Sequence, residues 1–595
     1  MKQFFKFVLA SMLGVFIMGI IVVLILAAVI AGVVSSAGSE KSTDVEPNSI
    51  MHMAFTTPIT ERTPNNPLAG LSFLGLNSEK SIGLNDILAN IKKAKKDGNI
   101  KGIFLDESYM SSGQATTEEI RNALIDFKKS KKFVIAYSEV YTQGFYYLAT
   151  AADKVYINPK GIFEFTGFSS QTTFLKGALD KLGIEAQIIK VGTFKSAVEP
   201  LVLTKMSDPN RLQVTSYLGS LYDHFLTGIS KSRGINKDSL FNYANEGSVQ
   251  FPEDALRLKL VDGLKYKDEI LDDLKTRTGT PLKSNLASVE LGDYTKSKSD
   301  NVKDDDDDAS SNRIAIVYAN GEITGGDGDD NSIGSERISR AIRKVRLDNK
   351  VKAVVLRVNS PGGSSLASDV IWREVALTKK VKPIIVSMGD YAASGGYYIS
   401  CAADSIFAEP NTITGSIGIF AILPNMQKLF NDKLGVTFDG VKTGKYADLG
   451  DISRPLSPEE RAILQNNVNH GYDDFTKAVA AGRGKTQEYI NSIGQGRVWT
   501  GAQAIKIGLV DRLGNINDAV ASAAKKAKLK NYNLVAYPEQ KSIFNQIDGD
   551  LTSQMRTKMM QSELGDNYRV YMQIKGITQI MRTPQARLPY DIVIK

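Results

Sequence analysis

The chain has 595 residues, of which 42% are hydrophobic and 23% charged, with a formal net charge of +8 at pH 7; this is the composition of a globular protein long enough for more than one domain. Its basic residues are spread along helical patterns and do not form a stripe with aromatic residues, which argues against nucleic-acid binding. The single cysteine, Cys401, excludes an intramolecular disulfide and a cysteine-rich metal site.

An apolar segment occupies the N-terminal part of the sequence. No charged residue occurs between Phe7 and Val34, and Lys2 and Lys6 precede this stretch. A helix rises about 1.5 Å per residue, so a segment of this length can cross a hydrocarbon core of about 30 Å. It is also longer than the apolar region of about 7–15 residues in a cleavable signal peptide. We therefore predict a retained membrane anchor over residues 1–34, with a cytoplasmic N-terminus and the remaining chain beyond the membrane.

The rest of the sequence contains an internal duplication. The segment YTQGFYYLATAADKVYINP, from Tyr141, is followed about 250 residues later by YAASGGYYISCAADSIFAEP, from Tyr391. In the same order, KVGTFKSAVEP (190–200) pairs with KTGKYADLGDISRP (442–455). The predicted organisation after the anchor is a linker at 35–49, a first repeat at 50–290, an acidic linker at 291–312, a second repeat at 313–530 and a C-terminal extension at 531–595.

Each repeat alternates two kinds of pattern. Short β-branched runs such as AVVLRV and PIIVSM alternate with helical patterns such as SERISRAIRKVR. This alternation is typical of βαβ units, in which crossover helices connect parallel strands. The sequence therefore predicts an α/β fold with a largely parallel sheet in each repeat.

The segments outside the repeats carry weaker signals. The aspartate run Asp304–Asp308 lacks the spaced ligands and the glycine of a calcium-binding loop, so we interpret it as part of a solvated linker. Residues 551–561 have a weak helical pattern, and we expect the extension to pack against a neighbouring subunit.

A serine follows one of the strand-like runs of the second repeat. Ser394 lies in DYAASGGYYIS, directly after KPIIVSM and before a helical pattern. Gly395 and Gly396 would let backbone approach closely, and the amides at a helix start favour negative charge. The motif predicts either a nucleophile or a serine that only caps the helix.

A glycine turn ends the preceding strand-like run. In VVLRVNSPGGS, Gly362 and Gly363 can present their amide hydrogens without a side chain in the way. Two such donors are what an oxyanion hole requires. An ordinary Pro-Gly turn is the alternative, but the neighbouring Ser394 favours a functional turn.

The candidate base is a lysine in the other repeat. The three histidines lie outside small-residue or strand-end settings, which leaves no good candidate for a Ser-His-Asp triad. Lys195, in GTFKSA, has small and apolar neighbours, and burial lowers the pKa of a lysine by disfavouring its charged form. The first repeat has Lys195 where the second has Ala447, and the second has Ser394 where the first has Gln143. This complementarity favours a base over a surface lysine; Lys445 is the main rival base.

On these paired motifs, the chain resembles the signal peptide peptidase A family, also called protease IV, in its long, duplicated form. The resemblance covers about Ile50 to Lys530. It implies two tandem crotonase/Clp-protease-like repeats behind the predicted transmembrane helix. It also implies a homotetrameric ring with an apolar interior, and chemistry without a metal or organic cofactor.

The resemblance further implies a role for each motif residue. Ser394, in YAASGGYY, would attack the scissile carbonyl, and Lys195, in the lysine motif of the first half, would act as general base. Ser416, in TGSIG, would hold the lysine amine. Gly363 and Gly395 would donate hydrogen bonds to the oxyanion.

The sequence thus predicts a membrane-anchored serine endopeptidase with a Ser-Lys dyad. It would degrade remnant signal peptides or other short apolar peptides on the periplasmic side of the bacterial cytoplasmic membrane, which it would cross once. Two alternatives remain at this point. One is a crotonase-type acyl-CoA enzyme, which also uses glycine amides to hold an oxyanion, and the other is an inactive membrane scaffold.

Overall fold

The structure is a computed structural model that describes residues 2–38, 44–64, 81–297, 310–540, 560 and 584–588. The acidic run Asp304–Asp308 and most of the predicted C-terminal extension lie outside these residues.

The N-terminal segment forms helix α1, Lys2–Gly38. The side chains of residues 25–38, which include part of the predicted anchor, lie outside the described set. Among the side chains that are described, no helix is long and apolar enough to cross a membrane.

The first repeat contains a parallel sheet in the order β8-β6-β5-β4-β1-β9. Its strands are β1 Ser49–Met53, β2 Ile59–Thr60, β3 Ile82–Gly83, β4 Ile100–Asp106, β5 Phe133–Tyr141, β6 Lys154–Phe163, β7 Glu185–Val191, β8 Gly263–Leu264 and β9 Ser288–Glu290. Its helices are α2 Leu84–Lys96, α3 Gln114–Lys128, α4 Gln143–Ala149, α5 Lys176–Leu182, α6 Glu199–Val202, α7 Asp208–Arg233, α8 Lys237–Asn245, α9 Pro252–Arg257, α10 Lys267–Thr278 and α11 Leu291–Tyr294.

The second repeat contains a larger sheet in the order β19-β17-β15-β13-β10-β21. Its described strands pair parallel except β17 with β19, which pair antiparallel. Strand β16 also pairs parallel with β15, and β20 pairs parallel with β16. Its strands are β10 Arg313–Asn320, β11 Glu322–Thr324, β12 Ser332–Gly334, β13 Val351–Ser360, β14 Gly362–Ser364, β15 Ile384–Ala393, β16 Ser405–Ala408, β17 Ile413–Gly415, β18 Ile419–Asn425, β19 Val498–Thr500 and β20 Arg512–Leu513. The C-terminal extension adds β21 Asn533–Tyr537 and β22 Gln585–Arg587. Its helices are α12 Ser335–Leu347, α13 Ser365–Lys379, α14 Gly395–Ser400, α15 Pro458–Arg483, α16 Gln487–Ile493, α17 Gly501–Ala504 and α18 Ile516–Lys526, with a π-helical turn at Leu429–Leu434.

The long helices α7 and α15 show the duplication in detail. Each begins after a capping serine, Ser207 or Ser457, whose side chain accepts a hydrogen bond from a first-turn amide. Each ends at a glycine in the left-handed conformation, Gly234 at φ 67° or Gly484 at φ 60°. Both repeats thus use the same capping chemistry to set the length of this helix. The strand pairing described above confirms the predicted α/β fold with mainly parallel sheets.

The central strands are buried, which explains their continuous apolar runs. In β13, Val354, Val355 and Leu356 are fully buried, as are Ile384 and Val386 in the adjacent β15. Parallel strands covered by helices on both faces lose the alternation of apolar and polar residues. Burying each of these side chains contributes about 1.5–3 kcal/mol before the cost in conformational entropy.

A third sheet, in the order β12-β11-β14-β22-β18-β7, joins the two repeats. Strand β7 of the first repeat pairs antiparallel with the whole of β18 in the second, from Ile419↔Val191 to Asn425↔Glu185. This pairing carries the segment that follows Val191 into the second repeat.

Buried ionic contacts also connect the repeats. The guanidinium of Arg357 donates to Glu61 at 2.8 Å and to Glu119 at 2.7 Å, and all three side chains are buried. Removing Arg357 would leave the two buried carboxylates without their counter-charge, at a cost of about 3–5 kcal/mol. These contacts therefore oppose separation of the repeats.

Candidate active site

Ser394 lies between the end of β15 and the start of α14 and is fully buried. Its φ of 55° is in the left-handed region, where a non-glycine residue is held only by surrounding structure. One such constraint is the hydrogen bond that its amide donates to the Gly415 carbonyl at 2.8 Å. The serine therefore sits on a strained strand-to-helix turn.

Lys195 brings its amine to this serine. Its Nζ donates to Ser394 Oγ at 2.9 Å, and to both the carbonyl oxygen and Oγ of Ser416 at 3.1 Å. The whole lysine side chain is buried, and burial lowers the pKa of its amine well below the ordinary value for lysine. Because a lowered pKa leaves more of the amine uncharged at neutral pH, this lysine can accept a proton.

Two glycines of the second repeat make room for the lysine. A Cβ added at Gly496, which has a φ of 79°, would lie 2.6 Å from the Lys195 amide nitrogen. One added at Gly418 would lie 3.2 Å from Lys195 Cδ. The loop is also held by the Phe194 amide, which donates to the Gln495 carbonyl at 2.8 Å. Larger residues at these glycines would displace the lysine.

Ser416 follows β17 and is fully buried, with a φ of 51°. Its amide donates to the Arg497 carbonyl at 2.7 Å. Because β17 pairs with β15 through Gly415 and Ala393, Ser416 and Ser394 follow neighbouring strand ends. That placement lets both serines contact the same amine.

The glycine turn lies against the start of α14. The Gly363 amide nitrogen is 3.2 Å from the position that a Cβ would take on Gly395, so the backbones of these two residues are in close contact. The Gly362 amide, in contrast, donates to Ser360 Oγ at 3.1 Å. Gly363 and Gly395, rather than Gly362, are therefore the candidate pair of oxyanion donors.

The equivalent position of the first repeat performs a structural task. Gln143 Oε1 accepts from the amides of Thr166 at 3.2 Å and Gly167 at 2.9 Å, and its Nε2 donates to the Gly167 carbonyl at 2.9 Å. The side chain that replaces the serine thus ties α4 to the loop after β6.

The other titratable candidates lie elsewhere. His52 contacts Asp106, His224 contacts Glu118, and the exposed His470 lies 3.5 Å from Asp474. Lys445 is 65% exposed and is 3.8 Å from Glu459. No described contact joins any of these residues to Ser394.

Sequence reasoning missed the residue that fixes the lysine loop. Gln213, in the first half of α7, is buried; its Nε2 donates to the Phe194 carbonyl at 3.0 Å and to Ser196 Oγ at 2.9 Å. Its Oε1 accepts from the Val498 amide at 3.2 Å. One glutamine therefore links the loop to a strand of the second repeat. The only sequence signal for this role is that Gln213 lies in the helix that follows the lysine motif.

Comparison with known proteins identifies the family. The profile of peptidase family S49 matches twice, over residues 126–280 and 376–530. The chain belongs to peptidase family S49. Lys195 falls within the first match and Ser394 within the second.

Curated relatives cover most of the chain. "Protease 4" of Salmonella typhi is 38% identical over 82% of this chain and 80% of its own length. "Protease 4" of Haemophilus influenzae is 37% identical over 75% of this chain and 73% of its length. "Serine protease SPPA, chloroplastic" of Arabidopsis thaliana is 34% identical over 82% of this chain and 70% of its own length. The chain is therefore a serine protease of the signal peptide peptidase A, or protease IV, type with a duplicated domain, as its motifs predict.

Proposed function

We propose that Ser394 is the nucleophile and Lys195 the general base of a Ser-Lys dyad shared between the two repeats. The observation that carries this proposal is the 2.9 Å contact between the buried amine of Lys195 and the hydroxyl of Ser394. A buried amine with a lowered pKa meets the requirement for a base that must be uncharged before it acts.

The reaction follows from this geometry. Lys195 takes the hydroxyl proton as Ser394 Oγ attacks the carbonyl carbon of the substrate, and the amides of Gly363 and Gly395 donate to the oxyanion. The carbon–nitrogen bond then breaks, and the lysine ammonium gives its proton to the leaving amine. The same lysine next deprotonates a water molecule that hydrolyses the acyl-enzyme. Ser416 orients the lysine through the contacts at 3.1 Å.

We further propose where the enzyme acts and on what. Residues 1–34 anchor the chain in the bacterial cytoplasmic membrane, with the catalytic part on the periplasmic side; the charge-free stretch after Lys2 and Lys6 supports this orientation. The substrates are remnant signal peptides and other short apolar peptides, and the protomers form a homotetramer. The family resemblance supports these assignments.

A fluorophosphonate probe tests the dyad directly. We expect the probe to label the full-length protein at Ser394, as found by peptide mass spectrometry, because only an activated serine reacts at a useful rate. The Ser394→Ala variant should remain unlabelled. Labelling at another residue, or a wild-type protein that stays unlabelled, would contradict the assignment of Ser394 as the nucleophile.

The pH dependence of peptidase activity should report the buried lysine. The ammonium form of Lys195 cannot accept a proton, so kcat/KM should rise with pH and level off above the pKa of this amine. Because burial lowers that pKa, the plateau should begin well below the ordinary lysine value of about 10.4. Initial rates across a pH series check this. Activity that still rises through pH 10.4 would show that the base is an ordinary, solvated lysine.

A further inference from the structure

The first repeat contains a cavity at the position that corresponds to the candidate active site of the second. Its volume is about 440 Å³, within the range of about 300–1,000 Å³ that is usual for ligand sites. The lining includes Gln143, which replaces the serine, together with Ser112 and Gly144. In the register of the duplication, Ser112 corresponds to Gly363 and Gly144 to Gly395. The duplication has therefore left a ligand-sized space where the second repeat has its dyad.

The corresponding groove of the second repeat indicates the shape of ligand that fits. There, the extended residues of β22 lie between β14 and β18. The counterparts of β14 and β18 in the first repeat are residues 111–113 and 168–174. The cavity is lined by Ser112 from the first of these segments and by Phe168 from the second. It thus occupies the position of a groove that accepts an extended chain.

The walls of the cavity are largely apolar. The rings of Phe168 and Phe225 pack with their centroids 4.9 Å apart, and Tyr109 and Met110 add to the apolar lining. Tyr109 is 63% exposed, whereas Phe225 is only 5% exposed, so the cavity leads from the surface to a buried aromatic ring. An apolar side chain that entered it would be removed from water together with this lining.

Two polar groups at the cavity lack a partner among the residues that the structure describes. Asn411, which follows β16, donates from Nδ2 to the Gln114 carbonyl at 3.0 Å, but its buried Oδ1 accepts no hydrogen bond. The amide of Ser112, the counterpart of Gly363, has no acceptor in the same part of the chain. A peptide main chain has an N–H for the first group and a carbonyl for the second, so one ligand could satisfy both.

The charged residues of the lining do not indicate a charged ligand. His224 contacts Glu118 Oε2 at 3.1 Å, and the same oxygen accepts from the Tyr147 hydroxyl at 2.6 Å. Glu164 is exposed to solvent. The lining therefore fits an apolar chain better than an ionic one.

A peptide held in this cavity would not be cleaved. Gln143 has no nucleophilic atom, and its side chain already accepts hydrogen bonds from the Thr166 and Gly167 amides. The residue that corresponds to Lys195 in the other repeat is Ala447. Both halves of a dyad are thus missing from this position.

We propose that this cavity is a second, non-catalytic binding site, which holds short apolar peptides in extended form. The site goes beyond the proposed function and does not depend on it, because binding here requires neither Ser394 nor Lys195.

A glycine allows the cavity to be filled by mutation. Gly144 is the second residue of the seven-residue helix α4, is exposed, and would meet no surrounding atom within 4 Å if it carried a Cβ. Gly144→Phe should therefore place a ring in the cavity and leave the fold intact. Gly177→Phe is the matched control, since Gly177 is the exposed second residue of the seven-residue α5, has equal space and lies outside the lining.

Photo-crosslinking tests the proposal. The probe is a leucine-rich peptide that is capped at both ends and carries a diazirine group, and the protein is full-length Ser394→Ala in detergent. We expect mass spectrometry to find crosslinks at residues 109–114 or at Phe168. Adding Gly144→Phe should lower their yield by about 10-fold or more, because the new ring occupies the space of the peptide side chain. Adding Gly177→Phe should leave the yield unchanged, and thermal midpoints check that the proteins fold alike.

Tyr109→Ala provides a second variant, since it changes an exposed side chain of the lining and should also lower the yield. Crosslinks confined to the second repeat, or none at all, would overturn the second site and leave the proposed dyad untouched. An undiminished yield in both Gly144→Phe and Tyr109→Ala would overturn it too, because the peptide would then lie elsewhere. Crosslinks at the predicted residues in a protein whose Ser394 does not react with fluorophosphonate would support the site and contradict the dyad.

Discussion

Ser394→Ala is expected to lower kcat for peptide hydrolysis by about 10⁴–10⁶-fold, because it removes the atom that we propose forms the acyl-enzyme. The remaining oxyanion donors can stabilise charge but cannot attack the carbonyl. The fold should be retained, since the methyl group of alanine fits where the serine hydroxymethyl group lies. Measuring kcat on labelled casein, together with the thermal midpoint of each protein, checks both statements.

Ser416→Ala is the matched control for this variant. Ser394 and Ser416 are both buried serines with a positive φ, and both contact Lys195 Nζ. They differ in that only Ser394 is the proposed nucleophile. Loss of the Ser416 hydroxyl should cost about one hydrogen bond to the amine, a decrease of about 10-fold to 100-fold in kcat. Equal losses for the two variants would mean that Ser394, like Ser416, only positions the lysine.

The sequence alone leads to much of the site because the two repeats diverged in a complementary way. Ser394 is recognisable from the small residues around it at a strand end, and Lys195 from its replacement by Ala447 in the other copy. The contact of the two side chains at 2.9 Å is the juxtaposition that this complementarity requires. The parallel sheets were predictable because the alternation of strand and helix patterns in βαβ units is visible in the local sequence.

The pairing that delivers the lysine has no such local pattern. Strand β7 joins β18, more than 200 residues later, and neither sequence states which strand will pair with which. Gln213 was missed because a buried glutamine on a helix looks like one on a solvated face until its partners are known. The short edge strand β21 extends the sheet of the second repeat past Lys530, and its few residues gave too little periodicity to be recognised.

Strand β22 was missed for a different physical reason. Its three residues, with an alanine between two polar side chains, carry almost no intrinsic strand preference. Main-chain hydrogen bonds to β14 and β18 provide the binding instead. Because main-chain groups make these hydrogen bonds, the residue types of β22 do not indicate that it forms a strand.

Lys195→Met is expected to lower kcat/KM by about 10³-fold or more, since the remaining groups near Ser394 Oγ cannot take its proton at neutral pH. Methionine has a similar length and no charge, so it can occupy the buried space that the lysine side chain fills beside Gly418. The variant should therefore fold, which allows a second measurement on the same protein.

That second measurement is the pH dependence of the free energy of unfolding. In wild-type protein, burial lowers the pKa of Lys195 in the folded state, whereas the unfolded chain has the ordinary value of about 10.4. Between these two values the unfolded state binds more protons, so wild-type stability rises with pH in that window. Below the lowered pKa, Lys195 is charged in both the folded and the unfolded state, so burial of the charge lowers the free energy of unfolding by its full amount. Relative to Lys195→Met, wild-type protein should gain about 1.4 kcal/mol for each pH unit between the lowered pKa and pH 10.4.

Lys445→Met is the matched control for both measurements. Lys445 is 65% exposed and 3.8 Å from Glu459, so its loss removes only a solvated ion pair; it should leave kcat/KM within about twofold and change the free energy of unfolding by less than about 1 kcal/mol. Denaturant titrations of the three proteins at pH 7 and pH 10 supply the comparison. If Lys445→Met loses activity while Lys195→Met keeps it, the base is the lysine of the second repeat. If Lys195→Met is inactive but shows no pH-dependent difference in stability, the amine of Lys195 carries an ordinary charge in the folded protein and a neutral-lysine mechanism is wrong.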